Sequence, residues 1–186
     1  MGALVTTKNK SPAVAGTAFK EGENAQYLTF MLGGEMYAID ILNIKEIIEY
    51  GQVTEVPMMP TFIRGVINLR GRVVPVVNLL ARFGKPDTGI TQRSCIVIIE
   101  AGTEGERQDI GVVVDSVSEV LDIPSSEIEP APSFGAKIRS DFISGMGKVG
   151  GKFVVMLNVD KMLSSEEILI LTNAESTVQS GGLGNG

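Results

Sequence analysis

From residue 27 onward, short apolar runs alternate with turn residues. Tyr27-Leu-Thr-Phe-Met-Leu32 reads as a strand, Gly33-Gly34 as a tight turn and Glu35-Met-Tyr-Ala-Ile39 as the answering strand, because two-residue hairpin turns require positive φ. Ile41, Leu42, Ile44, Ile47 and Ile48 follow at three-and-four spacing, which predicts a short helical turn. Val53 to Val56 is extended in character until Pro57 and Pro60 break it. Phe62 to Asn78 then forms two apolar strands about an Arg70-Gly71 turn. Pro75 lies in the second of these, and a residue without an N–H predicts an edge strand or a bulge there. Gly84 to Gln92 is polar and turn-rich, a connector.

The pattern then restarts. Ser94 to Ile99 is a strand, residues 100–108 a charged turn, and Asp109 to Val114 the answering strand. Asp115-Ser-Val-Ser-Glu-Val-Leu121 repeats the spacing of Leu42 to Ile48, with Glu119 aligned on Glu46. After a proline-rich, exposed stretch from Pro124 to Phe134, Phe142 to Asn158 repeats Phe62 to Asn78 at a shift of eighty positions. Phe62/Phe142, Ile63/Ile143, Gly65/Gly145, Gly71/Gly151, Val74/Val154 and Asn78/Asn158 coincide, and Arg72 faces Lys152. Arg70 is not shared; its counterpart is Gly150. Ser164 with Glu167 matches a capping box and predicts a terminal helix over 164–175. Residues 1–25 and 176–186 read as flexible tails.

Two copies, one about 26–88 and the other about 92–158, each bury little alone. They predict an all-β fold of two tandem five-stranded barrels packed through a shared apolar seam, with a short C-terminal helix.

Composition narrows the chemistry. The 186 residues contain no histidine, one cysteine and no tryptophan, which excludes histidine triads, histidine-ligated metals, phosphohistidine transfer and an internal disulfide. A net charge of -6 argues against a nucleic-acid binder. No run approaches the roughly eighteen apolar residues of a membrane span, and no signal-peptide pattern opens the chain. Gly145-Met-Gly-Lys-Val-Gly150 matches G-x-G-x-x-G, but a strand follows where a dinucleotide site needs a helix. Cys95, in an apolar strand, reads as a small buried hydrophobe. The acidic pairs Glu127/Glu129 and Glu166/Glu167 share no evident cleft. Gly65 and Gly71 serve backbone geometry, since both copies keep them. Arg70 is dispensable to the second turn, and its alternatives are a solvated surface group or a recognition residue paired with Glu46.

Taken together, Tyr27-Leu-Thr-Phe, Tyr37-Ala-Ile-Asp-Ile-Leu42, Pro60 to Leu79, Val112 to Leu121 and Pro130-Ala-Pro132 resemble the CheW family of bacterial chemotaxis coupling proteins, over about residues 26–172. The resemblance implies two intertwined SH3-like barrels, no enzymatic activity, no cofactor and no metal. It also implies a cytoplasmic protein recruited to receptor arrays at the inner face of the membrane. The implied partners are a chemoreceptor's cytoplasmic signalling tip, the regulatory domain of the histidine kinase CheA, and further copies of itself in rings. By the same resemblance Ile44, Glu46, Ile47, Gly65, Arg70 and Val117 form a receptor-binding groove. Gly111, Pro132 and Phe134 are the kinase-contact candidates. Glu129 departs from members that carry arginine there. Two other readings stand beside this one: an adaptor of a related motility or gene-regulatory pathway, and a small carboxylate-dependent hydrolase, which would need convergent acids in a cleft.

Overall fold

The computed structural model describes residues 24–103, 105–130, 142–164, 166, 167 and 170. The first hairpin forms as expected from β1 (Asn24–Leu32) and β2 (Glu35–Asp40), with Gly33 and Gly34 at φ 57° and 85°. A single 3-10 turn, Ile41–Asn43, follows, its N–H of Leu42 donating to the Asp40 carboxylate. The helix expected from the isoleucine spacing stops there: Ile44–Glu49 is a strand, β3. The spacing has another cause. β3 carries a bulge between Ile44 and Glu46, so Ile44 and Ile47 lie opposite Ile99 and Val97, while Glu46 and Ile48 lie opposite Ile98 and Ile96. An extra residue in a strand resets its alternation, and two apolar residues three apart then share one face without a helix. The corresponding segment of the second copy is likewise a strand, β8 (Ser116–Pro124), bulged at the equivalent place against β1.

The repeated hairpin is β4 (Ile63–Leu69) with β5 (Arg72–Asn78), and β10 (Ile143–Val149) with β11 (Lys152–Leu157). Both copies bulge after their first isoleucine. In both, the asparagine N–H donates to the carbonyl of the opening phenylalanine, Asn78 to Phe62 at 2.7 Å and Asn158 to Phe142 at 2.8 Å. Asn78 then accepts from the N–H of Ala81 to start α1 (Leu79–Arg82), and Asn158 accepts from that of Asp160 to start a 3-10 turn. Pro75 departs from expectation. β5 is an inner strand between β4 and β7 (Glu106–Val114), and the bulge belongs to β4. The proline is tolerated because β5 joins β7 only from Val76 onward, so no β7 partner is lost. The charged stretch 100–108 is also mostly paired, since β6 (Cys95–Thr103) and β7 run on past the core with Glu100 opposite Asp109. β9 (Ile128–Glu129) completes the set.

One sheet has the order β8-β1-β2-β11-β10-β9 and the other β3-β6-β7-β5-β4. The first hairpin of copy one thus joins the later strands of copy two, and the first hairpin of copy two joins the later strands of copy one. The segments 26–88 and 92–158 describe the repeat in sequence; each sheet draws on both. The two internal seams of exchange are parallel, β5 with β7 and β11 with β2.

Each barrel has a small interior, Ile67, Val74, Val76, Ile96, Ile98 and Val113 in one and Tyr27, Ala38, Ile123, Val154 and Met156 in the other. The largest core cluster lies between them, with nineteen buried residues including Phe30, Ile39, Leu79, Ile99 and Val112. The shared apolar seam is therefore the main core. A ladder of stacked rings crosses it, Phe30–Tyr37 at 6.1 Å, Tyr37–Phe83 at 5.8 Å and Phe83–Phe142 at 5.0 Å. Arg82 fastens the C-terminal segment to it, donating to the Met162 carbonyl (3.2 Å) and the Glu167 carboxylate (3.1 Å) over the Phe62 ring. Of the helix expected over 164–175 the described part is its start, where Ser164 N donates to the Glu167 carboxylate and Glu167 N to the Ser164 hydroxyl. That exchange is the capping box. The rest of that helix, the 1–23 and 176–186 portions of the tails, Pro132 and Phe134 lie outside the described residues.

Because β1 and β2 find their outer partners only in copy two, a chain cut after residue 90 should not fold. Circular dichroism and amide exchange should show no protected sheet, whereas two self-contained barrels would leave one intact.

Candidate functional site

Two strands border the seam, β3 at one edge of its sheet and β8 at one edge of the other. A shift of 73 relates them, so Ile44 matches Val117, Glu46 matches Glu119 and Ile47 matches Val120. Ile44 and Val117 are half-buried and pack on the same central cluster from opposite sheets. Ile47 and Val120 stay 42% and 44% exposed, more than either aliphatic needs as a core residue. The fold thus seats Ile44 and Val117 on one core cluster and leaves Ile47 and Val120 exposed on the same two edge strands, an apolar rim. Val120 is the member that sequence reasoning missed, although it stands in the repeat where Ile47 stands and that match was its signal.

Glu46 and Arg70 meet as the sequence hypothesis required. Arg70 occupies the left-handed region at φ 53° with Gly71 at 82°, the pair of positive φ values that a type I′ hairpin turn demands. From that turn its guanidinium makes a bidentate bond to Glu46 on β3, Nη1 to Oε2 and Nη2 to Oε1, the latter 2.8 Å. The bond joins β3 to the β4–β5 turn across the mouth of the barrel. The Arg70 hydrogen bonds hold the Glu46 carboxyl below its ordinary value of 4.5, and the same bonds raise Arg70.

Gly65 closes the same barrel from behind. Thr54 and Val66 exchange backbone bonds of 2.8 Å each way, and a Cβ built on Gly65, whose φ is 152°, would sit 2.3 Å from the Thr54 carbonyl oxygen. The glycine is what permits this close approach. Gly111 is buried on β7, where a Cβ would meet Ile96 at 2.7 Å and Ile98 and Val76 at 3.5 Å. Its side-chain direction faces the five-stranded barrel's interior; an extended apolar strand does not reveal which of its faces turns inward.

A charge cluster on this barrel was not legible in sequence. Asp109, 7% exposed, receives Lys45 at 2.8 Å and Arg72 at 3.1 Å, and Lys45 also reaches Glu100 at 3.7 Å. These residues are far apart in the chain, and only strand pairing collects them. Cys95 packs against the central cluster. Burial, with the Glu49 charge, raises its thiol above the ordinary 9.0, so it is held protonated. Among the described residues no group of three or more acids and cysteine is placed to hold a metal, and no helix is long and apolar enough to cross a membrane.

The whole of this arrangement, residues 26–167, matches the family model described as CheW-like domain. The chain belongs to the CheW-like family. The CheW-like domain here is 36% identical over 148 residues to a chemotaxis protein CheW from Klebsiella aerogenes, covering 80% of this chain and 87% of that one. Its fold resembles the crystal structure of the scaffolding protein TtCheW from Thermoanaerobacter tengcongensis, with TM-score 0.69 and 32% identity over 78% of this chain and 96% of that one. It is also 29% identical over 142 residues to protein FrzA of Myxococcus xanthus, covering 75% of this chain and 86% of the relative.

Two outcomes follow from this geometry. Gly65→Ala should lower stability by roughly 2–3 kcal/mol in thermal unfolding, while Gly71→Ala, whose Cβ would meet nothing within 4 Å, should cost only about 1 kcal/mol of backbone strain. For the ion pair the sign is set by a folded-state carboxyl pKa below the unfolded one. Its contribution is present above the ordinary carboxylate range and is lost as pH falls through the lowered value. In Arg70→Ala the Glu46 carboxyl should titrate higher than in the parent, as read by NMR of its side-chain carbon.

Proposed function

We propose that this CheW-like protein is a non-enzymatic adaptor that couples chemoreceptor signalling tips to the histidine kinase CheA. The observation that carries this is membership of the family across residues 26–167, with relatives named as chemotaxis and scaffolding proteins. The receptor tip docks along the apolar rim, its side chains against Ile44 and Ile47 on β3 and Val117 and Val120 on β8. The Glu46–Arg70 pair holds the β3 side of that rim in place. CheA binds elsewhere on the molecule through its own CheW-like regulatory domain, and the 130–134 stretch remains a candidate for that contact.

An adaptor of this kind works by coupled binding. A receptor state that binds the adaptor–kinase unit more tightly biases the kinase equilibrium by the difference in affinity, and weak contacts add strength through effective concentration in an array. The likeness to FrzA favours one second reading, an adaptor of the same architecture serving a related pathway with its own receptor and kinase.

Titration calorimetry against a receptor signalling-tip hairpin and, separately, a CheA regulatory domain should show binding to both. Ile47→Asp with Val120→Asp should weaken the receptor contact roughly tenfold or more while sparing the kinase contact. Arg70→Ala should weaken the receptor contact less. Binding to neither partner would overturn the assignment.

A further inference from the structure

The two strands that border the rim are held by different means. β3 follows the turn Ile41–Asn43, and the Glu46–Arg70 pair braces it against the β4–β5 turn. In the second copy Gly150 stands in place of Arg70, so β8 has no such brace. Thr29, buried in β1, holds the β8 bulge from within its own sheet. Its hydroxyl donates to the Glu119 carbonyl at 2.8 Å and accepts from the Glu119 N–H at 3.2 Å. What locates β8 relative to the other barrel is the residue just before it.

Asp115 lies between β7 in the five-stranded sheet and β8 in the six-stranded one. Its N–H donates to the Met31 carbonyl at 2.9 Å. One carboxylate oxygen accepts the Gly33 N–H at 2.9 Å, and the other accepts the Thr88 hydroxyl at 2.6 Å. Gly33 belongs to the β1–β2 turn, whereas Thr88 belongs to the stretch 84–92 that joins the two copies.

That stretch reads as a plain connector in sequence, yet it is fastened along its length. Lys85 pairs with Glu35 on β2 at 3.6 Å. Asp87 accepts from the Gly89 N–H at 3.1 Å and from the Arg64 guanidinium on β4, also at 3.1 Å. The Gly89 N–H, joined by the Arg64 charge, holds the Asp87 carboxyl below its ordinary value of 3.8. Arg64, Asp87, Thr88, Asp115 and Gly33 thus form one polar chain from β4 in one sheet to the β1–β2 turn in the other. Asp87 and Thr88 are exposed, so these bonds add little to global stability. What they fix is position.

We propose that this chain is a brace that sets where β8 stands across the rim from β3, with Arg64, Asp87, Thr88 and Asp115 as positioning residues for the receptor tip. The inference rests on docking along the rim. None of these residues belongs to the rim; they act through the backbone of β8, whose Val117 lies two residues beyond Asp115. The brace is the second copy's counterpart of the Glu46–Arg70 bond, built from the connector where Gly150 offers no side chain.

Thr88→Val, which keeps the shape and removes the hydroxyl, and Asp87→Ala cut the brace at two points. In NMR spectra of the free protein, each should shift the amide signals of Val117 and Val120 and leave those of Ile44 and Ile47 in place. Titration calorimetry against a receptor signalling-tip hairpin should show each single variant weakened roughly threefold or more. Melting curves should stay close to the parent's, which also establishes that the variants are folded. The double variant should bind no more weakly than the weaker single, because both changes cut one chain. Thr88→Ser should bind as the parent does. Unaltered affinity in both singles, or losses that simply add, would overturn the brace and leave receptor docking standing. A parent that bound no receptor tip would overturn the docking reading instead, and unmoved Val117 and Val120 signals would overturn the brace by themselves.

Discussion

The seam between the barrels is the contact on which the rest of the molecule depends, and it exists because the strands are exchanged. Each barrel interior is a handful of aliphatic side chains, too few to offset the entropy of ordering its strands. The large cluster lies between the barrels and is built from both faces of the exchange. Parallel pairing of β5 with β7 and of β11 with β2 commits each half to the other before either is complete. A close-packed core shared in this way leaves little freedom for one barrel to rock on the other, and the stacked rings and the Arg82 clasp tighten it further.

Rigidity of that kind suits a protein whose work is to transmit affinity. The rim strands β3 and β8 are held from below by Ile44 and Val117, so Ile47 and Val120 are presented on a fixed backbone. The Glu46–Arg70 bond adds a lateral constraint to β3. As an exposed pair it is worth little to global stability, but its bidentate geometry fixes where β3 sits relative to the β4–β5 turn. Position rather than stability is what such a bond supplies.

Duplication let the two ends diverge. One barrel end is closed by Lys45, Arg70 and Arg72 against Glu46, Glu100 and Asp109, while the other has Met31, Met36, the Gly150-Gly151 turn, Glu119 and Lys152 at the corresponding places. The backbone tolerates both, because Arg70-Gly71 and Gly150-Gly151 adopt nearly the same positive φ values. The scaffold therefore places no demand on the side chains that differ, and they are available for recognition.

By itself the sequence determined the all-β class, the hairpins about Gly33-Gly34 and Arg70-Gly71, the duplication, the shared seam and the capping box at Ser164. These are local or periodic properties, written in turn residues, alternation and repetition. It also isolated Arg70, because the second copy does without it, and offered pairing with Glu46 as one of two alternatives, between which the structure decided. The strand identity of Ile44–Glu49 was hidden, because a bulge imitates helical spacing, and the inner position of Pro75 depended on where β7 begins to pair. The exchange of strands, the inward face of Gly111, the collection of Lys45, Arg72 and Glu100 around Asp109, and the seating of Ile44 and Val117 on one cluster were decided only in the tertiary structure. Each brings together residues dozens of positions apart, and which strands pair is chosen by burial of the common seam rather than by any one segment's own preference.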